Sequence, residues 1–458
     1  MAGRGLNESG RAVNSMPPLT LSALLHAADG GGVARRCPDP PRRVTDNGRQ
    51  ALRRRIYNIS HAPDLRVVWR QSFNAFEHEP PHSLVEGDRL CQWLAPQQWP
   101  FCKALAAAKG TRAQATGARA AAPVTRRTNE LLLVSMPCAF TDDGTNYRGA
   151  LYDGTRVLNA QHRAATPRFA RGDLRRYDVA AVALTPYGHL ADAHFYASTA
   201  AWVLQLLELL PQSVPILVAR SKKVWGLFEQ MGLPMERLHT LPVGGAAYAD
   251  RLLSLVTTPF GALEPLGAEA MQRVRARLQR LSRPPGPMPV PPDAGEVPSG
   301  GPRAVIYLSR ARQHPRRSLS NRASLLAALT AAVRPREWSL EVFDGGGKGG
   351  KGKGGGRSGS GWTLAETAHY FSRAGLLVGP HGGAFLNMVY CRAGTPIVEI
   401  GWRGTKGPMA FPSYYHTLSR RLGLELWVVL GRGAYDRPIE VSVDEVDGLV
   451  QRLMDRHR

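Results

Sequence analysis

Only five cysteines occur in 458 residues: Cys37, Cys91, Cys102, Cys138 and Cys391. No two stand in CxxC spacing, which argues against a zinc site. Five is odd, so at least one thiol stays unpaired. Cys91 and Cys102 are candidates for a bridge in an oxidising compartment, and five free thiols is the alternative reading. Long apolar runs are missing too. No stretch of eighteen apolar residues exists, so no transmembrane helix is expected. Pro18 to Leu25 is apolar but short and lies some way in, a poor match to a signal peptide. Acidic residues are scarce: 36 Asp and Glu against 59 Lys and Arg, a net charge of +23. That balance favours anionic partners, namely nucleic acid, a membrane surface, or nucleotide and phosphate ligands. Composition alone is an alternative reading of part of the arginine excess, since Ala, Gly and Pro are also rich. No helix-turn-helix, zinc-finger or RNP pattern is present, so nucleic acid is not the expected partner. The Lys/Gly and Arg-rich tracts keep a basic nucleic-acid-binding protein as the alternative.

What is present is enough apolar residue, 43%, to bury a sizeable core. The length suits about two domains. Gly and Pro cluster rather than spread, and the clusters divide the chain. Residues 1–60 read as irregular. Residues 61–281 read as a first α/β lobe with a low-complexity insertion at 103–127. A Pro/Gly linker follows at 282–302, and a second α/β lobe at 303–458 carries a Gly/Lys insertion at 345–361. That insertion lacks the GK[ST] ending of a phosphate loop and is read as flexible.

Strands and helices alternate in both lobes, the doubly wound pattern. In the first, Glu130–Ser135 and Val179–Leu184 read as strands. A helix from His194 to Leu210 carries Trp202, Leu206 and Leu209 at helical spacing, and Pro211 ends it. Val214–Val218 and Leu238–Leu241 follow as strands, with a helix Val224–Met231 between them and a basic helix Gly267–Leu281 after them. In the second lobe, strands are expected at Ala304–Leu308 and Ser339–Phe343, with helices at Ser320–Val333 and Val441–Met454. Thr363 and Glu366 have the spacing of a capping box.

The most informative stretch is His381-Gly382-Gly383-Ala384-Phe385-Leu386-Asn387, set between the apolar runs Ala374–Pro380 and Gly394–Ile400. It reads strand, glycine turn, short helix, strand. Such a turn presents backbone N–H groups and one imidazole to a ligand, and a helix N-terminus suits phosphate. Arg310 and Arg317 follow the strand ending at Leu308, and Asn321 opens the next helix. Ligands of open α/β sheets bind at the carboxyl ends of the strands, where these residues converge. Arginine gives permanently charged, bidentate contacts to phosphate. Glu399 interrupts an apolar strand, and a buried carboxylate needs a partner. The ribose hydroxyls of a nucleotide are the expected one, and the set reads as a nucleotide-diphosphate site with no obligatory metal.

The stretch from Val305 to Ile400 resembles the catalytic domain of glycosyltransferase family 61. The matching positions are Tyr307 with Arg310, then Arg317, Asn321, His381 to Asn387, and Val398-Glu399-Ile400. The first lobe is also similar from about Asp192 to Leu241, and the likeness covers roughly Leu131 to Val429. Departures are Arg322 in place of a Glu, the order Gly383-Ala384 in place of Ala-Gly, and Ala197 and Ala201 near positions that often hold a His and an acidic residue.

The resemblance implies a GT-B fold: two Rossmann-like doubly wound lobes with a cleft between. It implies inverting transfer of a sugar from a nucleotide-sugar donor to a hydroxyl of a glycan or glycoprotein. No cofactor beyond the donor and no metal ligand are expected; a metal requirement is left open. The donor-binding set would be Arg310, Arg317, Asn321, His381, Gly382, Gly383, Asn387 and Glu399. His381 would also act in catalysis, with Asp192 or His194 as base. A glycosyltransferase-like protein that binds without catalysing is a further alternative. The family's location is the lumen of the Golgi or endoplasmic reticulum. Entry there, and any membrane association, would need a signal or anchor not visible in this sequence.

Overall fold

The computed structural model describes residues 195–243, 245–258, 268–281, 303–310, 316–344, 363–403 and 410–457, with shorter pieces between residues 20 and 184. The expected linker 282–302 and insertion 345–361 lie outside the described residues. So do segment 1–60 apart from Thr20 and Cys37, and insertion 103–127 apart from Leu105.

The earlier strands are β1 (Arg66–Asn74), β2 (His82–Ser83), β3 (Thr128–Asp142), β4 (Leu151–Tyr152), β5 (Val157–Leu158), β6 (Leu174–Val182), β7 (Ile216–Val218), β8 (Leu238–Thr240) and β9 (Ala246–Thr258). All but β2 form one sheet, in the order β5-β4-β3-β9-β6-β7-β8 with β1 on β3. From β9 to β8 the pairing is parallel, as expected for a doubly wound unit. From β9 outward through β3 it is antiparallel, which the alternation of elements does not announce. The crossovers run through α1 (Ala201–Leu209) and α2 (Lys222–Gln230). A short π-helical stretch, Phe195–Ala200, leads into α1. Ser221 caps α2 by accepting from the Val224 amide, and Val224, Leu227 and Phe228 form its buried stripe. The basic helix α3 (Ala268–Leu281) follows.

The later strands are β10 (Ala304–Leu308), β11 (Ser339–Phe343), β12 (Ala374–Pro380), β13 (Pro396–Trp402) and β14 (Glu425–Gly431). They pair in parallel in the order β11-β10-β12-β13-β14, and β2 from the first part of the chain adds to β14. β10 and β13 are buried at every residue. A parallel sheet covered on both faces demands such unbroken apolar runs. Helices α4 (Arg322–Val333), α5 (Leu364–Ser372), α6 (Tyr414–Arg421) and α7 (Val443–Arg456) complete the unit. The capping box of α5 forms as read: the Glu366 amide donates to Thr363 at 3.1 Å, and the Thr363 amide to Glu366 at 2.6 Å. α6 and β14 form a further unit beyond those read from the sequence.

By order of appearance these five strands lie second, first, third, fourth, fifth. The order reverses between β10 and β12, the switch point where a crevice opens at the carboxyl ends. Close approach of these two strands depends on Gly379. A Cβ there would lie 2.5 Å from the Leu308 carbonyl oxygen, a backbone atom that cannot turn aside. Gly379→Ala should therefore cost about 1–3 kcal/mol in stability. Chemical denaturation would measure it, and an unchanged midpoint would refute the steric argument.

α3 joins the two sheets. Its Arg275 is buried and donates to the carbonyls of Cys391 at 3.2 Å and Leu422 at 2.6 Å, and its Gln272 donates to Arg421. Leu278, Val274 and Met271 enter one apolar core shared by residues of both sheets. Disulfides link Cys37 to Cys138 and Cys91 to Cys102, and Cys391 is a buried free thiol. Among the described residues no helix is long and apolar enough to cross a membrane, and no group of three or more His, Cys, Asp or Glu side chains is placed to hold a metal.

Candidate active site

The site is built on two strand ends and the strand beside them. β10 runs out at Leu308 into Ser309 and Arg310. β12 runs out at Pro380 into His381. β13 lies beside β12, with Glu399 opposite Gly379. The His381 amide donates to the Ile400 carbonyl at 2.9 Å, which fixes the turn to the neighbouring strand.

Arg310 reaches across the switch point and donates from Nη1 to the His381 carbonyl at 3.0 Å. Burial pushes the Arg310 guanidinium below its ordinary value, and the charge of Arg317 adds to that. Arg317 is held by its backbone. Its φ is +60°, its amide donates to the Arg437 carbonyl at 2.9 Å, and its guanidinium lies 4.5 Å from the ring centre of Tyr435. A non-glycine residue in the left-handed region carries strain of the kind that gathers at functional sites. Among the described residues neither arginine has a carboxylate partner, and the Nε of each is buried without an acceptor. Two adjacent cations without counter-charge favour an anion.

His381 stands in an aromatic enclosure. Its ring lies 5.5 Å from Trp402, 5.4 Å from Phe411 and 5.1 Å from Tyr415. Tyr415 donates to the Gly382 carbonyl at 2.7 Å and so ties α6 to the turn. A Cβ on Gly382 would meet the Arg310 guanidinium, so any side chain there displaces Arg310 from its present position. His381 Nδ1 and Glu399 Oε1 are 2.5 Å apart. Glu399 is fully buried. Burial raises its carboxyl above the ordinary value, and the hydrogen bond from His381 pulls it part of the way back.

The structure thus brings Arg310, Arg317, His381 and Gly382 together. Glu399, read as a ribose ligand, stands against His381. The carboxylate has no exposed surface, faces the imidazole and lies beneath it. Asn321 is likewise engaged elsewhere: its amide donates to the Val441 carbonyl at 2.7 Å and its oxygen accepts from the Val441 amide, pinning the start of α4 to the C-terminal segment. Asn387 donates to the Ala384 carbonyl at 3.0 Å and closes the glycine turn. Gly383 opens a 3-10 stretch, Gly383–Tyr390, rather than an α-helix. The turn therefore lacks the aligned α-helical amides expected of it, and the guanidiniums of Arg310 and Arg317 are the cationic groups at this edge. Asp192 and His194 lie outside the described residues. Tyr196, two residues on, receives a hydrogen bond from the Tyr390 hydroxyl at 2.8 Å, joining the start of the first helix to the end of the glycine turn.

Trp402, Phe411, Tyr415 and Tyr435 escaped the sequence reading. Their only signal is aromatic residues after a strand in a chain with 7% aromatics overall.

The model of the family described as Glycosyltransferase 61 matches residues 357–398. The match takes in α5, β12, the His381 turn and the start of β13. It supports the family resemblance drawn above and, with it, a sugar-transferring enzyme. No curated protein matches the chain.

Proposed function

We propose that the protein is a glycosyltransferase that moves a sugar from a nucleotide-sugar donor to a hydroxyl of a glycan or glycoprotein, with inversion at the anomeric carbon. One observation carries this reading. Arg310 and Arg317, cations without carboxylate partners among the described residues, meet His381 at the switch point of a parallel sheet. A nucleoside diphosphate has the charge and size such a crevice takes.

In direct displacement the acceptor oxygen bonds to the anomeric carbon as the bond to the diphosphate oxygen breaks. The electron pair stays on the diphosphate, and the acceptor's proton passes to a base. Arg310, Arg317, His381 and the amides of Gly382 and Gly383 meet the developing charge without rearranging. Asp192 or His194 is the base in this scheme, since each precedes the π-helical stretch that packs on the turn at Tyr390. Asn321 and Asn387 hold the surrounding loops. The cleft between two GT-B lobes is part of the proposal, as is a location in the Golgi or endoplasmic reticulum lumen. The two disulfides support an oxidising compartment.

The test is a panel of UDP- and GDP-sugars with the purified protein, scored for donor hydrolysis and for binding of UDP and GDP. At least one donor should be hydrolysed. Failure to bind either nucleotide, with salt-sensitive binding of nucleic acid instead, would reject the proposal in favour of a nucleic-acid-binding protein.

A further inference from the structure

A buried carboxylate bonded to one nitrogen of an imidazole invites a question about the other nitrogen. Nδ1 of His381 is committed to Glu399 at 2.5 Å. Nε2 has no partner among the described residues, and the ring keeps a tenth of its surface exposed. The second carboxylate oxygen, Oε2 of Glu399, is buried and has no partner among the described residues either. The negative charge of Glu399 is therefore offered chiefly to one group, the imidazole above it.

The groups around that imidazole come from every side. β13 supplies Glu399 and Trp402. Phe411 and α6 supply an apolar ring and the Tyr415 phenol, which burial holds well above its ordinary value and so neutral. The loop after β10 supplies Arg310, whose guanidinium touches the His381 carbonyl, and beyond it stand Arg317 and Tyr435. A diphosphate lying against the two guanidiniums brings negative charge to Nε2, while Glu399 stabilises the opposite side of the same ring.

We infer that the Glu399–His381 pair takes up one proton as a nucleoside diphosphate binds, so that His381 meets the phosphate as an imidazolium with Nε2–H donating to it. The proton comes from solvent and rests on the ring. No covalent bond changes. Glu399 is a positioning residue: it fixes Nδ1 as the inward nitrogen and holds the charge balance that lets the ring become cationic. The inference rests on the proposed diphosphate site and adds the proton linkage to it. Affinity must then fall as pH rises, because the bound form holds more protons than the free one. At its steepest the fall approaches about tenfold per pH unit.

The experiment is calorimetric titration of the whole protein with UDP and with GDP, at fixed pH, in buffers of differing protonation enthalpy. The slope of heat against buffer enthalpy counts protons. The wild-type protein should take up on the order of one proton per site beyond the nucleotide's own small contribution. Glu399→Gln, close in shape but uncharged, should still bind, more weakly, with most of that uptake lost and a flatter pH dependence. The nucleotide's own titration is common to both proteins and cancels in the comparison. If Glu399→Gln does not fold, His381→Gln must show the same loss of uptake. Nucleotide binding without proton uptake in the wild type, or equal uptake in the variant, overturns the inference and leaves the diphosphate site standing. Failure of the wild type to bind UDP or GDP overturns the site itself, and the inference with it.

Discussion

Trp99→Ala should destabilise the protein by about 3–5 kcal/mol, the range for truncating a large, fully buried aromatic side chain. Trp99 is wholly buried, donates from Nε1 to the Phe411 carbonyl at 2.7 Å, and packs against the rings of Phe411 and His416, each at 5.7 Å, and of Phe101 at 6.0 Å. The variant loses that packing and leaves a buried carbonyl without its donor. The consequence reaches the site. Phe411 is a wall of the His381 enclosure and fills the space above Gly401, where a Cβ would lie 2.6 Å from its ring. Trp99→Phe keeps most of the apolar surface and loses only the N–H, so it should cost less. Urea denaturation of the two variants gives the ordering. A loss below about 1 kcal/mol for Trp99→Ala would show that this contact does not support the site.

Replacing both Arg310 and Arg317 by alanine should abolish measurable nucleotide binding. Each charge-assisted contact is worth about 1.5–3 kcal/mol, and the two together approach about 3–6 kcal/mol, less whatever coupling the shared ligand introduces. Single variants should each weaken UDP or GDP binding by roughly 10–150-fold. The fold should survive, because Arg310 lies beyond a strand end and Arg317 is held through its backbone and Tyr435. Removing one arginine also relieves the repulsion felt by the other, so stability should not fall. Lysine at either position keeps the charge and loses the planar fork, and should recover part of the affinity. Wild-type affinity in the double variant, with the fold intact by circular dichroism, would remove the arginines from the site.

Much of the second sheet was legible from short local runs, whether fully buried as in β10 or half-exposed as in the edge strand β11. Ala304–Leu308 and Ser339–Phe343 were read with the bounds they have. The local chemistry of the α5 cap was legible for a similar reason: a capping box involves residues three apart and needs nothing from the rest of the chain. β9 was missed. It lies between β3 and β6, and its faces enter two different cores, so Leu253 and Leu255 go one way while Leu252 and Val256 go the other. Burial on both faces erases the alternation that marks a half-exposed strand, and Asp250 and Arg251 interrupt the apolar run that made β10 legible without it. The antiparallel pairing of β3 with β1, β4 and β9 was missed with it, although Glu130–Ser135 within β3 was read as a strand.

For the site, the sequence by itself determined the cations and the turn. Arginines after a strand and a histidine before glycines are local facts, and the carboxyl edge of a parallel sheet is where such residues meet. It determined as well that Glu399 must have a partner, since an apolar strand cannot hold a lone carboxylate without cost. Only the tertiary structure decided which partner. Glu399 lies 18 residues from His381, and they meet because β12 and β13 are adjacent and in register at Gly379. Asn321 is occupied by Val441, 120 residues away, and Trp99 closes on Phe411 across 312 residues. Side-chain chemistry states what a residue needs. Strand order and register state who supplies it, and those follow from how the two sheets pack.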